Sequence, residues 1–371
     1  MTVSASTRVR RVAVVGAGMI GALHHRAAVL AGARVEGVLA SRPDRSAEVA
    51  TRWGVPTAFG SIEEVVDSGV DLVHVASPNA THAPYVRRLL AAGIHVICEK
   101  PLGVTRTEAV GLADAADAAG VVATVPFVYR FHPIVREVRA RAADGEFGRW
   151  TLLHGSYLQD WMLSPQASGW RVDAGAGGAS RAFADIGSHW CDLVEWVSGE
   201  RIAAVSAQRS VAFEHRPGPD GTPAPVSTED SAVALFRTHS GVLGSVTVSQ
   251  VAPGRRNRLW FELDGTAASA VFDQENPEQV WLGGPGTDRI LSRGHGPGAA
   301  EQQRLSVLPP GHPQGFAHCM EAFVADTYAA VTGEKPSGLP TFEDGARSAA
   351  VVEAMLRSSE SGSWTAVEVR S

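Results

Sequence analysis

A chain of 371 residues, 44% hydrophobic and 19% charged, is long enough for two separate cores and too apolar to be disordered or fibrous. Its formal net charge of -6 leaves no basic footprint for nucleic acid, and no polybasic run addresses a membrane surface. No apolar run approaches the ~20 residues that span a bilayer.

The stretch Met1 to Arg11 is charged and has no apolar centre, so no signal peptide and a cytoplasmic location are expected. Val12 to Val15 follows as a β-branched run without polar alternation, the pattern of a strand buried on both faces of a parallel sheet. Gly16, Gly18 and Gly21 come next at G-x-G-x-x-G spacing, with Ala17, Met19 and Ile20 between them, and Ala22 to Leu30 has helical composition. A strand before and a helix after are the context in which such a turn binds a dinucleotide pyrophosphate. Gly16 would permit the turn, Gly18 would let phosphate reach the backbone, and Gly21 would let helix and strand approach.

Ala33 to Leu39 reads as a second strand. An acid that binds the ribose 2'-hydroxyl is expected at its end, roughly 20 residues after the glycines. Ala40 stands there instead, and Ser41 with Arg42 offers a hydroxyl and a guanidinium suited to a 2'-phosphate, which points to NADP over NAD. Helix and strand go on alternating through Ser46 to Arg52, Ser61 to Asp67 and Leu72 to Ala76. Ser77, Pro78, Asn79 and His82 then form a loop beyond a strand's carboxyl end, where doubly wound sheets bind ligands. His82 either caps the next helix, Ala83 to Ala92, or touches cofactor. The buried run His95 to Cys98 delivers Glu99, Lys100 and Pro101 to the same edge, and a lysine there is poorly explained by solubility alone. A helix over Thr105 to Ala119 and a strand over Val121 to Phe127 complete a dinucleotide-binding domain expected over residues 1–129.

After Tyr129-Arg130-Phe131-His132-Pro133 comes a helix, Ile134 to Ala143, and then mainly strands. Trp150 to Leu158, Ala203 to Phe213, Ser231 to Arg237, Val242 to Val251, Arg258 to Leu263 and Ala267 to Asp273 predict a large, open, mainly antiparallel sheet in a second, α+β domain over residues 130–371. The alternation of Val246 and Val248 with Thr247 and Ser249 predicts one helix-covered face and one face free for a partner subunit. Glu214 to Thr228, rich in proline and glycine, reads as a loop. The cysteines Cys98, Cys191 and Cys319 are odd in number, far apart and set in apolar runs, as reduced core thiols are.

A helix is predicted to open at Gly177 to Ser180 and to end near Gly199. Asp185, His189, Asp192 and Trp196 would share one stripe of it, with Asp185 and His189 one turn apart. Such a pair either shuttles a proton, the aspartate orienting the imidazole, or is a helical surface pair without chemistry. No metal-ligand spacing surrounds it. Tyr157 to Asp173, with Gln159, Asp160, Trp161, Trp170 and Arg171, could bind a polyol by stacking and hydrogen bonds, or could simply pack. His312, Gln314 and His318 are candidates for a further wall.

Five motifs in order, Val14 to Gly21, Ser77 to His82, Glu99 to Pro101, Tyr129 to Pro133 and Asp185 to His189, make the chain similar to the Gfo/Idh/MocA oxidoreductases. The resemblance implies a Rossmann domain joined to an α/β domain with an open sheet, and NAD(P)-dependent chemistry at a secondary alcohol or ketone of a sugar or cyclitol. It also implies that Lys100, Asp185 and His189 are the catalytic residues. A homodimer or homotetramer is expected. Two rival readings are a glycoside-cleaving enzyme that oxidises its substrate transiently, and a nucleotide sensor without catalysis.

Overall fold

The computed structural model describes residues 11–218, 221–294, 296 and 298–368. The chain forms two compact units. The first holds residues up to Val128 together with Ala317–Ala346, and the second holds Tyr129–Phe316 and residues from Arg347 onward. The N-terminal stretch expected to lack a signal peptide lies, but for Arg11, outside the described residues.

In the first unit six parallel strands, β1 (Arg11–Val15), β2 (Arg34–Leu39), β3 (Thr57–Phe59), β4 (Leu72–Val75), β5 (His95–Cys98) and β6 (Ala123–Thr124), lie in the order β3-β2-β1-β4-β5-β6. This is the doubly wound order, whose connection reverses beside β1 and puts the ligand edge at the strands' carboxyl ends. Burial explains the unbroken apolar runs: Val12, Ala13 and Val14 of β1 and Val73 and Val75 of β4 are wholly inaccessible. The expected strand over Val121 to Phe127 is shortened to Ala123–Thr124, because the chain turns into a short 3-10 helix at Val128–Phe131.

The expected boundary of 1–129 and 130–371 divides the chain differently from these units. The helix Phe316–Val331 carries Glu321 to Arg26, Thr327 to Thr124 and Tyr328 to His74, so most of it packs with the first unit. Long-range contacts of this kind leave no mark in local sequence pattern.

The second unit is built on nine strands. They are β7 (Trp150–Leu158), β8 (Ile202–Ser210), β11 (Ser231–Thr238), β12 (Leu243–Ser249), β13 (Arg258–Gly265), β14 (Ser269–Asp273), β15 (Gln279–Gly284), β16 (Thr287–Ser292) and β17 (Thr365–Ala366). The intervening β9 (His215–Pro217) and β10 (Pro223–Pro225) pair as a separate ribbon inside the segment expected to be loop. Neighbours in the large sheet are antiparallel except β7 and β12. The hairpin β15–β16 was hidden in sequence by its glycine and proline content, and β17 by its length.

Alternation sorts the two faces as expected. Val246, Val248, Phe236, Phe261 and Leu263 are buried against the helices Pro133–Ala143 and Ser188–Ser198 through Val138, Trp190 and Val194. On the other face Leu152, Val233, Leu235 and Leu243 are exposed, beside an ionic trio of His154, Glu262 and Asp264. No helix among the described residues is long and apolar enough to cross a membrane. The three cysteines are buried and form no disulfide among the described residues, and burial pushes the thiols of Cys98 and Cys191 up.

His132, in the second unit, is 1% exposed and lies against Tyr129 and Phe272. Burial lowers its pKa to about 4. Because the unfolded chain takes up a proton near pH 6.5 and the folded one does not, its contribution to stability is complete above that pH and is lost as pH falls toward 4. Between pH 7.5 and 5 the parent should lose about 2 kcal/mol more unfolding free energy than His132→Gln. Urea titrations of both proteins at the two pH values measure the difference; parallel pH dependences would refute the assignment.

Candidate functional site

The turn expected to bind a dinucleotide lies in the first unit. Gly16 follows β1 with φ +108 and its N–H donates to Leu39 O at 2.8 Å. A Cβ there would stand 2.3 Å from Ala76 O, and one at Gly21 would stand 2.0 Å from Gly16 O, so both positions require glycine. A Cβ at Gly18, by contrast, would meet nothing within 4 Å. The turn is therefore tight on the sheet side and open at the middle glycine, as an approaching pyrophosphate needs. The helix Met19–Leu30 starts there without a side-chain cap or an acidic residue in its first turn, which leaves its positive end available to an anion. Met19 is exposed and Ile20 half-buried.

Ser41 and Arg42 are exposed at the end of β2. Arg42 Nε stands 3.2 Å from Asp44 Oδ1, and this guanidinium holds the Asp44 carboxyl below its ordinary range. Sequence reading missed Asp44, which is both a competitor for Arg42 and an acid near the position where one was expected.

At the end of β4, Ser77 Oγ and Thr81 Oγ1 lie 2.6 Å apart, Pro78 is exposed and Asn79 is buried. His82 is fully buried, with Nδ1 2.9 Å from Pro101 O and Nε2 2.9 Å from Ser77 O. Its ring thus braces two loops against each other. Both contacts favour protonation, but burial is the larger effect and lowers its pKa. After β5, Glu99 accepts the Lys100 N–H at 3.1 Å, and the Lys100–Pro101 peptide is cis.

The second unit holds Asp185 and His189. The helix opens at Phe183, later than Gly177 to Ser180, and its first turn, Phe183–Gly187, is a π-turn. Glu229 explains the late start: its Oε1 accepts from Ser180 Oγ, Arg181 N and Phe183 N at 2.7, 3.0 and 2.9 Å. The α-helix Ser188–Ser198 then runs to Gly199, the left-handed cap. A π-turn inserted before an α-helix is a frequent mark of function, because it re-aims side chains that regular geometry would misplace.

Asp185 on this turn accepts from Gln250 Nε2 at 2.8 Å, and Arg171 Nε lies 3.8 Å from its other oxygen. His189 is 7% exposed and meets the Tyr129 ring edge-on at 5.0 Å between centroids. The rest of the expected stripe is structural. Asp192 is paired with buried Arg130, and Trp196 is covered by the guanidinium groups of Arg136 and Arg139.

Several expected substrate residues do come together here. Tyr157 Oη donates to Asn257 Oδ1 at 2.7 Å and also meets Tyr129 Oη. Gln159 Nε2 donates to the same Asn257 oxygen at 2.7 Å, and Trp161 Nε1 donates to Gln159 Oε1 at 2.9 Å. Burial, then the neighbouring Tyr129, pushes the Tyr157 phenol up, so it remains a donor. Arg171 spans the group, its guanidinium 4.4 Å from the Trp170 ring centre and 5.9 Å from that of Trp161. Asn257 and Gln250 were invisible in sequence, being lone polar residues at strand ends.

Among the residues expected to add a further wall, Gln314 is buried and spends its amide on Leu305 O and Leu308 N, the His312 carbonyl accepts from Arg293, and His318 belongs to the first unit.

Comparison with known proteins agrees with both halves. Residues 10–127 match the model of the oxidoreductase family with an NAD-binding Rossmann fold, and residues 135–271 match the Gfo/Idh/MocA C-terminal domain. Levoglucosan dehydrogenase of Pseudarthrobacter phenanthrenivorans is 31% identical over 88% of this chain and 88% of that protein. D-xylose 1-dehydrogenase (NADP(+)) 2 of Haloferax volcanii is 28% identical over 80% of this chain and 93% of its own. A solved structure of levoglucosan dehydrogenase with NADH and levoglucosan superposes with a TM-score of 0.89, at 28% identity, over 97% of this chain and 100% of that one. A strand-turn-helix with no room for side chains at two glycines, and an aspartate on a π-turn with a histidine in the α-helix that follows it, beside an open sheet, are thus features of a chain that belongs to the Gfo/Idh/MocA family of NAD-binding oxidoreductases.

Proposed function

We propose that this oxidoreductase transfers hydride between a nicotinamide dinucleotide and a secondary alcohol or ketone of a sugar or cyclitol. The observation that carries the reading is the π-turn: Asp185, held by Gln250, stands one turn before His189 and beside Arg171, Trp161 and Trp170. Aromatic faces and an array of amide and guanidinium donors suit a ring that carries C–H on its faces and hydroxyls on its rim.

The open turn at Gly18 fits the dinucleotide, which when bound supplies a hydride acceptor or donor. A base is still needed for the hydroxyl proton. His189 takes it during oxidation and returns it during reduction, while Asp185 orients the ring and offsets its positive charge. Lys100, matched to the family pattern, contributes an ammonium that stabilises a developing alkoxide. Screening polyols and ketosugars with both cofactors, with hydride transfer followed optically, tests the reading. Release of an aglycone without net cofactor turnover would favour transient oxidation instead.

NADP is the preferred cofactor in this reading, with Arg42 turning from Asp44 to a 2'-phosphate. Arg42→Ala should weaken NADP by about tenfold, the worth of one charged hydrogen bond, and leave NAD unchanged. Asp44→Asn should strengthen NADP, and Ala40→Asp should favour NAD. Equal losses for both cofactors in Arg42→Ala would remove the argument.

The exposed apolar face formed by Leu152, Val233, Leu235 and Leu243 supports assembly as a homodimer or homotetramer. A monomer by light scattering at micromolar concentration would overturn it. The free buried cysteines support a reducing, cytoplasmic setting.

A further inference from the structure

On the open face of the large sheet, two interior strands bring together an imidazole and two carboxylates. β7 and β13 pair antiparallel with His154 directly opposite Glu262, and Asp264 follows two residues along β13, so period two places all three on one face. Their alternates Leu153, Phe261 and Leu263 are buried on the helix-covered face. His154 Nε2 stands 3.6 Å from Glu262 Oε2 and 3.7 Å from Asp264 Oδ2, and one ligand atom from each residue lies within 4.8 Å of the others. The three side chains are 28, 29 and 27% exposed, sunk enough to be held and open enough to be reached.

Two features separate this trio from an ordinary surface ion pair. The first is charge. Asp160, Asp273, Glu146 and Glu278 of the same unit each face an arginine, whereas among the described residues no lysine or arginine pairs with Glu262 or Asp264. Two carboxylates side by side on one strand face repel each other, and only the imidazole stands against them. The second feature is distance. At 3.6 and 3.7 Å the imidazole is beyond hydrogen-bond reach of both carboxylates. Among the described residues, no other group makes a hydrogen bond to the His154 ring or to the Glu262 carboxylate. A zinc ion bound to nitrogen and oxygen at roughly 2.0 to 2.2 Å sets neighbouring tetrahedral ligands about 3.4 Å apart. The His154 spacings thus suit a shared ion better than direct bonds.

The neighbours orient the ligand atoms. Ser269, opposite Asp264 on β14, donates from Oγ to Asp264 Oδ1 at 2.7 Å, which leaves Oδ2 turned to His154. The Trp260 ring meets the His154 ring edge-on, with 5.4 Å between centroids, and limits its rotation. Such outer partners fix a ligand's direction before the ion arrives.

We propose that His154 Nε2, Glu262 Oε2 and Asp264 Oδ2 form a three-ligand site for a divalent transition metal of the zinc type, its fourth position facing outward from the sheet. One imidazole with two carboxylates suits zinc, whereas calcium and magnesium take shells of six or more oxygens. The bound ion cancels the repulsion between the two carboxylates and ties β7 to β13 on the face that the helices do not cover. Its place is opposite the helix that carries His189, so it takes no part in hydride transfer.

Calorimetric titration of zinc chloride into the chelator-treated, full-length protein tests the site. The expected result is saturable binding of one ion per chain, abolished in His154→Ala. Ser269→Ala, which removes only an orienting hydrogen bond, should weaken binding by about tenfold, and Glu262→Gln, which removes a ligand charge, by more. Cobalt(II) in place of zinc should give the strong visible absorption of a four-coordinate ion in the parent and only the faint spectrum of the hydrated ion in His154→Ala. No zinc binding by the parent, or equal binding by the parent and His154→Ala, would overturn the site: the trio is then a solvated ion cluster, and any zinc sits on another of the 13 histidines. Tighter binding of calcium or magnesium than of zinc would overturn the metal assignment, and full affinity in Ser269→Ala would take Asp264 Oδ2 out of the ligand set. Should His154→Ala fail to fold, Glu262→Gln, which keeps the side chain's shape, decides. Hydrogen exchange reads the brace: zinc should slow exchange of the β13 amides in the parent and not in His154→Ala. Unchanged exchange in zinc-loaded parent would refute the tie between the strands.

Discussion

His189→Ala should lose about 10²- to 10⁴-fold in single-turnover hydride transfer, the contribution of a general base, with cofactor affinity almost unchanged. The ring is 7% exposed and packed on Tyr129, so its position is fixed, and the helix that carries it holds no other histidine. Asp185→Asn keeps the hydrogen-bonding shape toward Gln250 but removes the charge that offsets an imidazolium, so it should lose less than His189→Ala and should still bind cofactor. Lys100→Met should depress the same step. Single-turnover measurement is essential, because slow release of reduced cofactor can mask all three effects in steady-state rates. A His189→Ala protein that reduced cofactor at the parent's rate would make the π-turn structural and send the search for a base to Lys100.

Asp230→Ala should cost about 3 to 5 kcal/mol of folding stability, the range for breaking a buried ion pair from one side. Asp230, Arg181 and Arg216 are all inaccessible to solvent, and one carboxylate serves both guanidinium groups. Burial alone would raise the Asp230 pKa; Arg181, the Ala212 N–H and Arg216 outweigh it and hold the carboxyl below its ordinary range. The consequence reaches the substrate half of the site. Arg216 donates to Ser164 O at 2.8 Å, Ala167 O at 3.1 Å and Met162 O at 2.8 Å, pinning the loop that carries Trp161, Trp170 and Arg171. Loss of Asp230 should therefore raise substrate KM more than it lowers turnover. Urea unfolding measures the first effect and steady-state kinetics the second. A loss below about 1 kcal/mol would be no more than a surface ion pair is worth, and would show that the two arginines do not depend on this carboxylate.

The residues of β1 and the three glycines marked the start of the first fold unit in the sequence. An unbroken apolar run can only be buried on both faces, and Gly21 answers to the backbone of Gly16 five residues before it, whereas Gly16 answers to Ala76, which only the folded sheet brings near. The same local logic placed the faces of the large sheet, through period-two alternation, and the end of the helix at Gly199. It also brought Asp185, His189, Trp161, Trp170 and Arg171 forward as candidates, since their types suit polyol chemistry. Only tertiary structure decided how these side chains are used. Glu229, more than forty residues downstream, delays the helix to Phe183 and creates the π-turn, and Gln250 and Asn257 arrive from distant strand ends. His82 and Gln314 looked available in sequence, yet in the fold their buried polar atoms meet backbone groups, since a polar group left unpaired on burial is costly.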